Sequence, residues 1–109
     1  MKIVLAILLT TLTLPAFAGY NANFRGTISA VLTYPGSTLI LIRVSNQPTS
    51  HPECTSFDYL AIDPAISNES RQLVMSRLLL AFTTGENINI GYDKSGDCIG
   101  GRIRVHRVG

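Results

Sequence analysis

Alternating apolar and polar residues predict strands on both sides of one helical segment. Residues 24–34 alternate every second position, with Ile28 and Leu32 on the apolar side, which predicts a half-buried strand. Residues 38–44 are rich in β-branched residues and largely apolar on both sides, so we expect one side in the core and the other covered as well. The same periodicity predicts three further strands, at residues 54–62, 87–92 and 102–108.

One amphipathic helix is predicted over residues 68–85. Before it, Asp63-Pro64 is a sequence that often starts a helix, and Ser67 offers a side chain that can cap the helix N-terminus. Gly85 supplies a C-terminal stop. On a helical wheel one broad face, wide enough to cover a sheet, collects the residues Val74, Met75, Leu78, Ala81 and Phe82.

Two leucines of this helix lie outside that face. Leu73 and Leu80 are seven residues apart and have polar neighbours. They either cover the rim of the same core or form a second contact ridge for a neighbouring subunit or partner. With Arg77 beside them, they are the predicted oligomer interface.

The element order, strand-strand-strand-helix-strand-strand, indicates a mainly β protein with one helix. Five strands with the helix between the third and fourth is the plan of the OB-fold, so we predict a five-stranded OB-fold-like barrel. The alternative is a helix packed on an open antiparallel sheet, which agrees equally well with the pattern of apolar and polar residues. We favour the barrel, in which subunit association would finish covering the second apolar side of residues 38–44.

The N-terminus is typical of an export signal. Met1 and Lys2 precede an apolar run, residues 3–14, and small residues follow up to Ala18. The run is too short for a comfortable membrane span. We therefore expect cleavage after Ala18, one domain over residues 19–109, a secreted or periplasmic location and no membrane attachment after cleavage.

Charge and cysteine content narrow the function further. The formal net charge of +2 falls to +1 without Lys2, which is a poor basis for binding nucleic acid. The two cysteines, Cys54 and Cys98, predict one disulfide in an oxidising compartment. A metal-binding pair or a catalytic cysteine is the alternative.

Catalytic chemistry has little support in the sequence. We expect His51 and His106 to be solvated surface histidines, and Asp93 and Asp97 to shape a turn rather than bind calcium. No metal, cofactor or enzymatic activity is predicted. The residues Arg102, Arg104 and Arg107 with Lys94 form either a solvated strand face or a patch that recognises an anionic glycan or acidic partner.

Several short motifs resemble those of a known family. They are Phe24-Arg25-Gly26-Thr27-Ile28, Tyr59-Leu60-Ala61-Ile62, Ser76-Arg77-Leu78-Leu79-Leu80-Ala81-Phe82 and Asp97-Cys98-Ile99-Gly100-Gly101. Together they resemble small secreted proteins of Gram-negative bacteria related to the B subunit of subtilase cytotoxin. That family implies OB-fold pentamers that bind sialylated glycans, with helices lining a central pore that receives an enzymatic subunit.

The resemblance and the residues together predict a secreted, non-catalytic binding subunit. Arg25 stands where the toxin subunit has a sugar-contacting serine, and an arginine can meet a carboxylate through two hydrogen bonds. The predicted ligand-binding residues are therefore Arg25, Tyr59, Arg102 and Arg104. The alternative is an exported inhibitor or structural interaction protein of the periplasm that uses the loop at residues 45–53; a small hydrolase is a remote third possibility.

Overall fold

The computed structural model describes residues 19–109. The predicted signal segment, residues 1–18, lies outside the described residues. Within the described chain the strands are β1 (Ala22–Gly26), β2 (Ile28–Thr33), β3 (Ile40–Val44), β4 (Ser56–Ile62), β5 (Ile88–Tyr92), β6 (Cys98–Ile99), β7 (Arg102–Arg104) and β8 (Arg107–Val108), with helix α1 (Asn68–Thr84) between β4 and β5.

The strands are arranged in two sheets. One has three strands in the order β1-β5-β8, and the other has five in the order β2-β3-β4-β7-β6. Neighbouring strands are antiparallel except β4 and β7, which run parallel. The prediction of a mainly β protein with one helix is confirmed, whereas the strands do not close into the single five-stranded barrel that we expected.

Two predicted strands are divided because the chain passes from one sheet to the other within them. Residues 24–34 separate at Thr27 into β1 and β2, and residues 102–108 separate after Arg104 into β7 and β8. At the second division the N–H of Val105 donates to the carbonyl of Ala61, and the N–H of His106 donates to the carbonyl of Gly91. Each of these two hydrogen bonds therefore joins the last segment to a different sheet.

Gly26 allows the first division because the backbone of another segment lies against it. A Cβ atom on Gly26 would lie 2.0 Å from the carbonyl oxygen of Ser45. The adjacent Thr27 donates its N–H to Ser45 Oγ at 2.8 Å and accepts from the N–H of Ser45 at 2.9 Å. A side chain at Gly26 would force these two segments apart.

Helix α1 begins and ends as its capping residues predict. The hydroxyl of Ser67 accepts a hydrogen bond from the N–H of Ser70 at 3.1 Å, and Glu69 lies in the first turn. Gly85 has a left-handed backbone (φ 69°), and its N–H donates to the carbonyl of Ala81. The predicted helix is confirmed to within one residue.

The helix buries a narrower face than its sequence predicts. Leu78 and Ala81 are fully buried, and Val74 and Met75 pack on the core with part of their surface exposed. Phe82, predicted to share this face, is 45% exposed, which is a correction. The helix packs against β2 of one sheet and β8 of the other. The fully buried strand residues of the shared core are Ile42, Val44, Leu60, Ile88, Ile90 and Ile103.

The predicted disulfide between Cys54 and Cys98 is confirmed, with the two Cα atoms 5.7 Å apart. It joins the start of the β4 region to β6, at the edge of the five-stranded sheet. Beside it, the N–H groups of Thr55 and Ser56 both donate to the carbonyl of Gly101, at 2.9 and 3.0 Å. The bridge therefore reinforces a contact that backbone hydrogen bonds also make.

Replacing Gly26 by alanine is expected to lower the free energy of unfolding by about 1–3 kcal/mol, since the new methyl group would overlap the Ser45 carbonyl. Urea denaturation of the variant measures the change. Gly96→Ala is the matched control, because no atom lies within 4 Å of its Cβ position. Equal midpoints for the two variants would contradict the close approach.

Replacing both cysteines by alanine is expected to lower the free energy of unfolding by about 2–4 kcal/mol, because the bridge restricts the unfolded chain across 44 residues of sequence. Denaturant titrations of the variant and the oxidised protein measure this difference. Identical denaturation midpoints for the unmodified protein in the presence and absence of reductant would contradict a stabilising bridge.

Candidate functional site

A cation–aromatic pair lies on the outer face of the five-stranded sheet. Ile42 on β3 is paired with Leu60 on β4, and both are buried in the core. Their neighbours Arg43 and Tyr59 point to the opposite side, because successive side chains of a strand alternate. There the guanidinium carbon of Arg43 lies 4.4 Å from the centre of the Tyr59 ring, within cation–π distance.

Asp58 joins this pair to a second arginine. Its carboxylate accepts from Arg102 Nε at 3.2 Å and from Arg102 Nη2 at 3.3 Å, and its carbonyl accepts from Arg43 Nε at 3.3 Å. We call Arg43, Asp58, Tyr59 and Arg102 the arginine–tyrosine cluster. The cluster contains two guanidinium groups and one carboxylate, which only Arg102 contacts, so it has a net positive charge and suits an anionic ligand.

The pKa of the Asp58 carboxyl is lowered from 3.8, above all because Arg102 donates a hydrogen bond to it, with a smaller contribution from the N–H of Tyr59. Asp58 therefore stays ionised throughout the neutral range. A lowered folded-state pKa means that this pairing stabilises the fold above pH 3.8 and that its contribution is lost as the pH falls below that value.

Arg104 lies two residues further along β7 and is held by carboxylates. Its Nη1 donates to Asp63 Oδ2 at 2.5 Å, and its Nε lies 2.8 Å from Asp97 Oδ1, close enough for an ion pair but without hydrogen-bond alignment. The other oxygen of Asp97 lies 2.5 Å from His106 Nε2. The charge of Arg104 is thus neutralised within the protein, so Arg104 contributes less than Arg102 to an anionic site.

The four predicted ligand-binding residues are only partly brought together. Tyr59, Arg102 and Arg104 share the outer face of the five-stranded sheet. Arg25 lies on β1 of the other sheet, exposed and opposite Asn89 in register. Arg43 was missed by the sequence prediction, although a single arginine within apolar residues 38–44 is the signal that could have identified it.

The outer side of α1 is a second exposed feature. Leu73 is 74% exposed, Leu80 is 55% and Leu79 is 49%, and Phe82 joins them at 45%. We call these four residues the helix surface. Leu73 and Leu80 lie along one edge of this surface, and Leu79 and Phe82 lie along the other, as the 3.6-residue turn of a helix requires. Leu73 and Leu80 are thus largely uncovered within the single chain, and a second contact ridge stays a prediction. Arg77, the third predicted interface residue, pairs with Glu86 at 2.5 Å.

Both histidines have structural partners, which corrects the expectation of solvated side chains. His51 is half-buried; its Nδ1 accepts from the N–H groups of Glu53 and Cys54 at 3.1 and 3.2 Å, and its Nε2 lies 2.8 Å from the carbonyl oxygen of Asp93. His106 pairs with Asp97. The loop at residues 45–53 is thereby held at one end.

A small cleft lies between α1 and the last segment of the chain. Its floor is apolar, and Asp63, Ser70, His106 and Arg107 line its edge. Its volume is about 110 Å³, well below the 300–1,000 Å³ typical of small-molecule pockets. The arginine–tyrosine cluster and the helix surface are therefore the stronger candidates for binding.

Replacing Arg102 by glutamine is expected to raise the pKa of Asp58 toward 3.8, because the main cause of its lowering is removed. An NMR titration of the Asp58 carboxyl carbon measures this change. Arg107→Gln is the control, since Arg107 lies on β8 outside the cluster. An unchanged Asp58 titration in Arg102→Gln would contradict the pairing.

Comparisons of the chain with protein-family models, with curated proteins and with solved structures find no match. Within residues 19–109, the helix that the structure contains is not one that could span a membrane.

Proposed function

We propose that this protein is an exported, non-catalytic binding subunit that self-associates through α1 and binds an anionic ligand with the arginine–tyrosine cluster. The single observation that carries the proposal is the helix surface, on which four large apolar side chains stay exposed.

The composition of α1 supports contact with a second copy of the chain. Between Leu73 and Thr84 the only charged residue is Arg77, and Glu86 already neutralises it. An uncharged, largely apolar helix side is depleted in the groups that oppose burial at the centre of an interface. Covering each leucine or phenylalanine would contribute up to about 1.5–3 kcal/mol. A pentamer, the assembly implied by the family resemblance, would repeat this contact around a central axis.

The cluster supports recognition of a carboxylate-bearing sugar or an acidic peptide surface. Arg43 stacks on Tyr59, and its contact with Asp58 is to a carbonyl oxygen rather than to the carboxylate. Its remaining guanidinium donors can meet a carboxylate, and the tyrosine ring offers an apolar face to a sugar. The resemblance to sialoglycan-binding subunits favours the sugar, with Arg25 as a separate candidate contact on β1.

Strand connectivity supports an OB-fold-like arrangement as the scaffold of this proposal. The chain crosses between the sheets at Thr27 and again after Arg104. In addition, β4 and β7 pair in parallel. Joined across these crossings, and without the two-residue β6, the segments give five strands with the helix between the third and fourth. This order is compatible with an OB-fold and supports that part of the proposal.

Export is supported by two independent features. The apolar run at residues 3–14 has the composition of a signal peptide. The Cys54–Cys98 disulfide is compatible with an oxidising compartment.

Leu73→Glu combined with Leu80→Glu is expected to convert an oligomer into monomers while leaving the circular dichroism spectrum unchanged, because both side chains lie outside the core. Sedimentation equilibrium measures the mass. The control is Tyr34→Glu, which places a glutamate on an exposed large side-chain position outside the helix. A monomeric unmodified protein, or an unchanged mass in the double variant, would overturn self-association through α1.

Arg43→Ala is expected to weaken binding to sialylated oligosaccharides by about tenfold or more, the loss that follows when a charge-assisted hydrogen bond of 1.5–3 kcal/mol is removed. A glycan array followed by calorimetry on the best ligand measures the effect. Arg107→Ala, which removes an equal charge from β8, should bind normally. The absence of a glycan signal, together with capture of a periplasmic protein, would instead favour the inhibitor or interaction protein.

A further inference from the structure

A histidine and two cysteines come together at the edge of the five-stranded sheet. A ring nitrogen of His51 and the Sγ atoms of Cys54 and Cys98 all lie within 4.8 Å of one another. Cys54 is buried, whereas His51 and Cys98 are half-buried, so the group is reachable from solvent on one side. In the oxidised protein the two sulfurs are bonded to each other and are poor metal ligands.

We propose that reduction of this disulfide creates a metal site with two thiolates and one imidazole nitrogen as ligands. The donor set is soft, which favours Zn²⁺ among the common divalent ions and also accepts Co²⁺. The proposal is independent of the binding function described above.

The spacing of the three donors is close to what a tetrahedral ion needs. Ligand atoms on one zinc ion lie roughly 3.5–4 Å apart, given Zn–S and Zn–N bonds of about 2.3 and 2.0 Å. The three donors already lie within 4.8 Å. Rotation of the cysteine side chains after the S–S bond breaks is therefore enough to bring them into range.

The backbone around the cysteines has connections that do not depend on the disulfide. Thr55 and Ser56 donate to the Gly101 carbonyl, and Cys98 is paired with Ile103 across β6 and β7. These contacts keep the two cysteines near each other when the sulfur–sulfur bond is broken. The metal would therefore bind without a large rearrangement of the backbone.

His51 is oriented as a ligating histidine is. Its Nε2 lies 2.8 Å from the carbonyl oxygen of Asp93, so Nε2 carries the proton and Nδ1 has the free electron pair. A backbone carbonyl on one ring nitrogen commonly fixes the ring while the other nitrogen binds metal. Nδ1 now accepts from the N–H groups of Glu53 and Cys54, and the metal would replace those two hydrogen bonds.

The redox step balances with an external dithiol. The dithiol supplies two electrons and two protons, its own sulfurs form a disulfide, and the Cys54–Cys98 bond becomes two thiols. Zn²⁺ then displaces the two thiol protons as it binds. Three protein ligands would leave the fourth position to an exchangeable water.

Cobalt titration tests the proposal. The protein is reduced with a trialkylphosphine, which takes up oxygen from water as it is oxidised, and the phosphine is removed under argon before Co²⁺ is added. We expect one Co²⁺ per chain, thiolate-to-cobalt charge-transfer absorption and visible bands of a tetrahedral ion, all abolished by Zn²⁺. The oxidised protein should show none of these bands.

Variants assign the ligands. Cys54→Ser should abolish the charge-transfer bands of a two-thiolate site. His51→Asn, whose amide oxygen can still accept from the backbone N–H groups, should weaken Co²⁺ binding by about tenfold or more. His106→Asn is the matched control and should bind normally.

Three outcomes would overturn the proposal. They are a reduced protein without cobalt bands, an oxidised protein that binds equally well, and a His51→Asn variant with unchanged affinity. If reduction unfolds the chain, Zn²⁺ should restore its circular dichroism spectrum, as metal binding and folding are coupled. Failure of that recovery would count equally against the site.

Discussion

One apolar core shared by both sheets and the helix is the constraint on which the rest of the structure depends. Leu78 and Ala81 are fully buried, and α1 touches β2 of one sheet and β8 of the other. Neither a three-stranded nor a five-stranded sheet of this size could bury its inner face alone. The crossings at Thr27 and after Arg104 bring both sheets onto the same core, and the Cys54–Cys98 bridge reinforces its edge.

Because α1 buries only a narrow face in this core, the remainder of the helix is available for contact. Leu73 and Leu80 extend outward where solvent-facing residues are usually charged. The outer face of the five-stranded sheet has the opposite character, with arginines that are partly neutralised by Asp58 and Asp63. The protein thus presents an apolar surface and a cationic surface, a combination that suits a subunit which associates with copies of itself and binds an anionic ligand.

Part of the candidate site was predictable from strand periodicity. Alternation places Arg102 and Arg104 away from the core because Ile103 between them is apolar, and the same reasoning applies to Arg43. Which arginines keep an uncompensated charge was not predictable. Asp63 is 41 residues from Arg104 in sequence and reaches it only through the fold, whereas Arg43 lies against an aromatic ring instead of a carboxylate.

Local chemistry alone determined the helix, the main extended segments and the pairing of the two cysteines. Capping by Ser67 and Gly85 acts within one turn, and two cysteines allow a single intramolecular bridge. Only the tertiary structure decided where strands divide, that Phe82 stays exposed and that His51 lies beside the disulfide. These features depend on which distant segments come into contact, and periodicity along a chain contains no information about its partners across space.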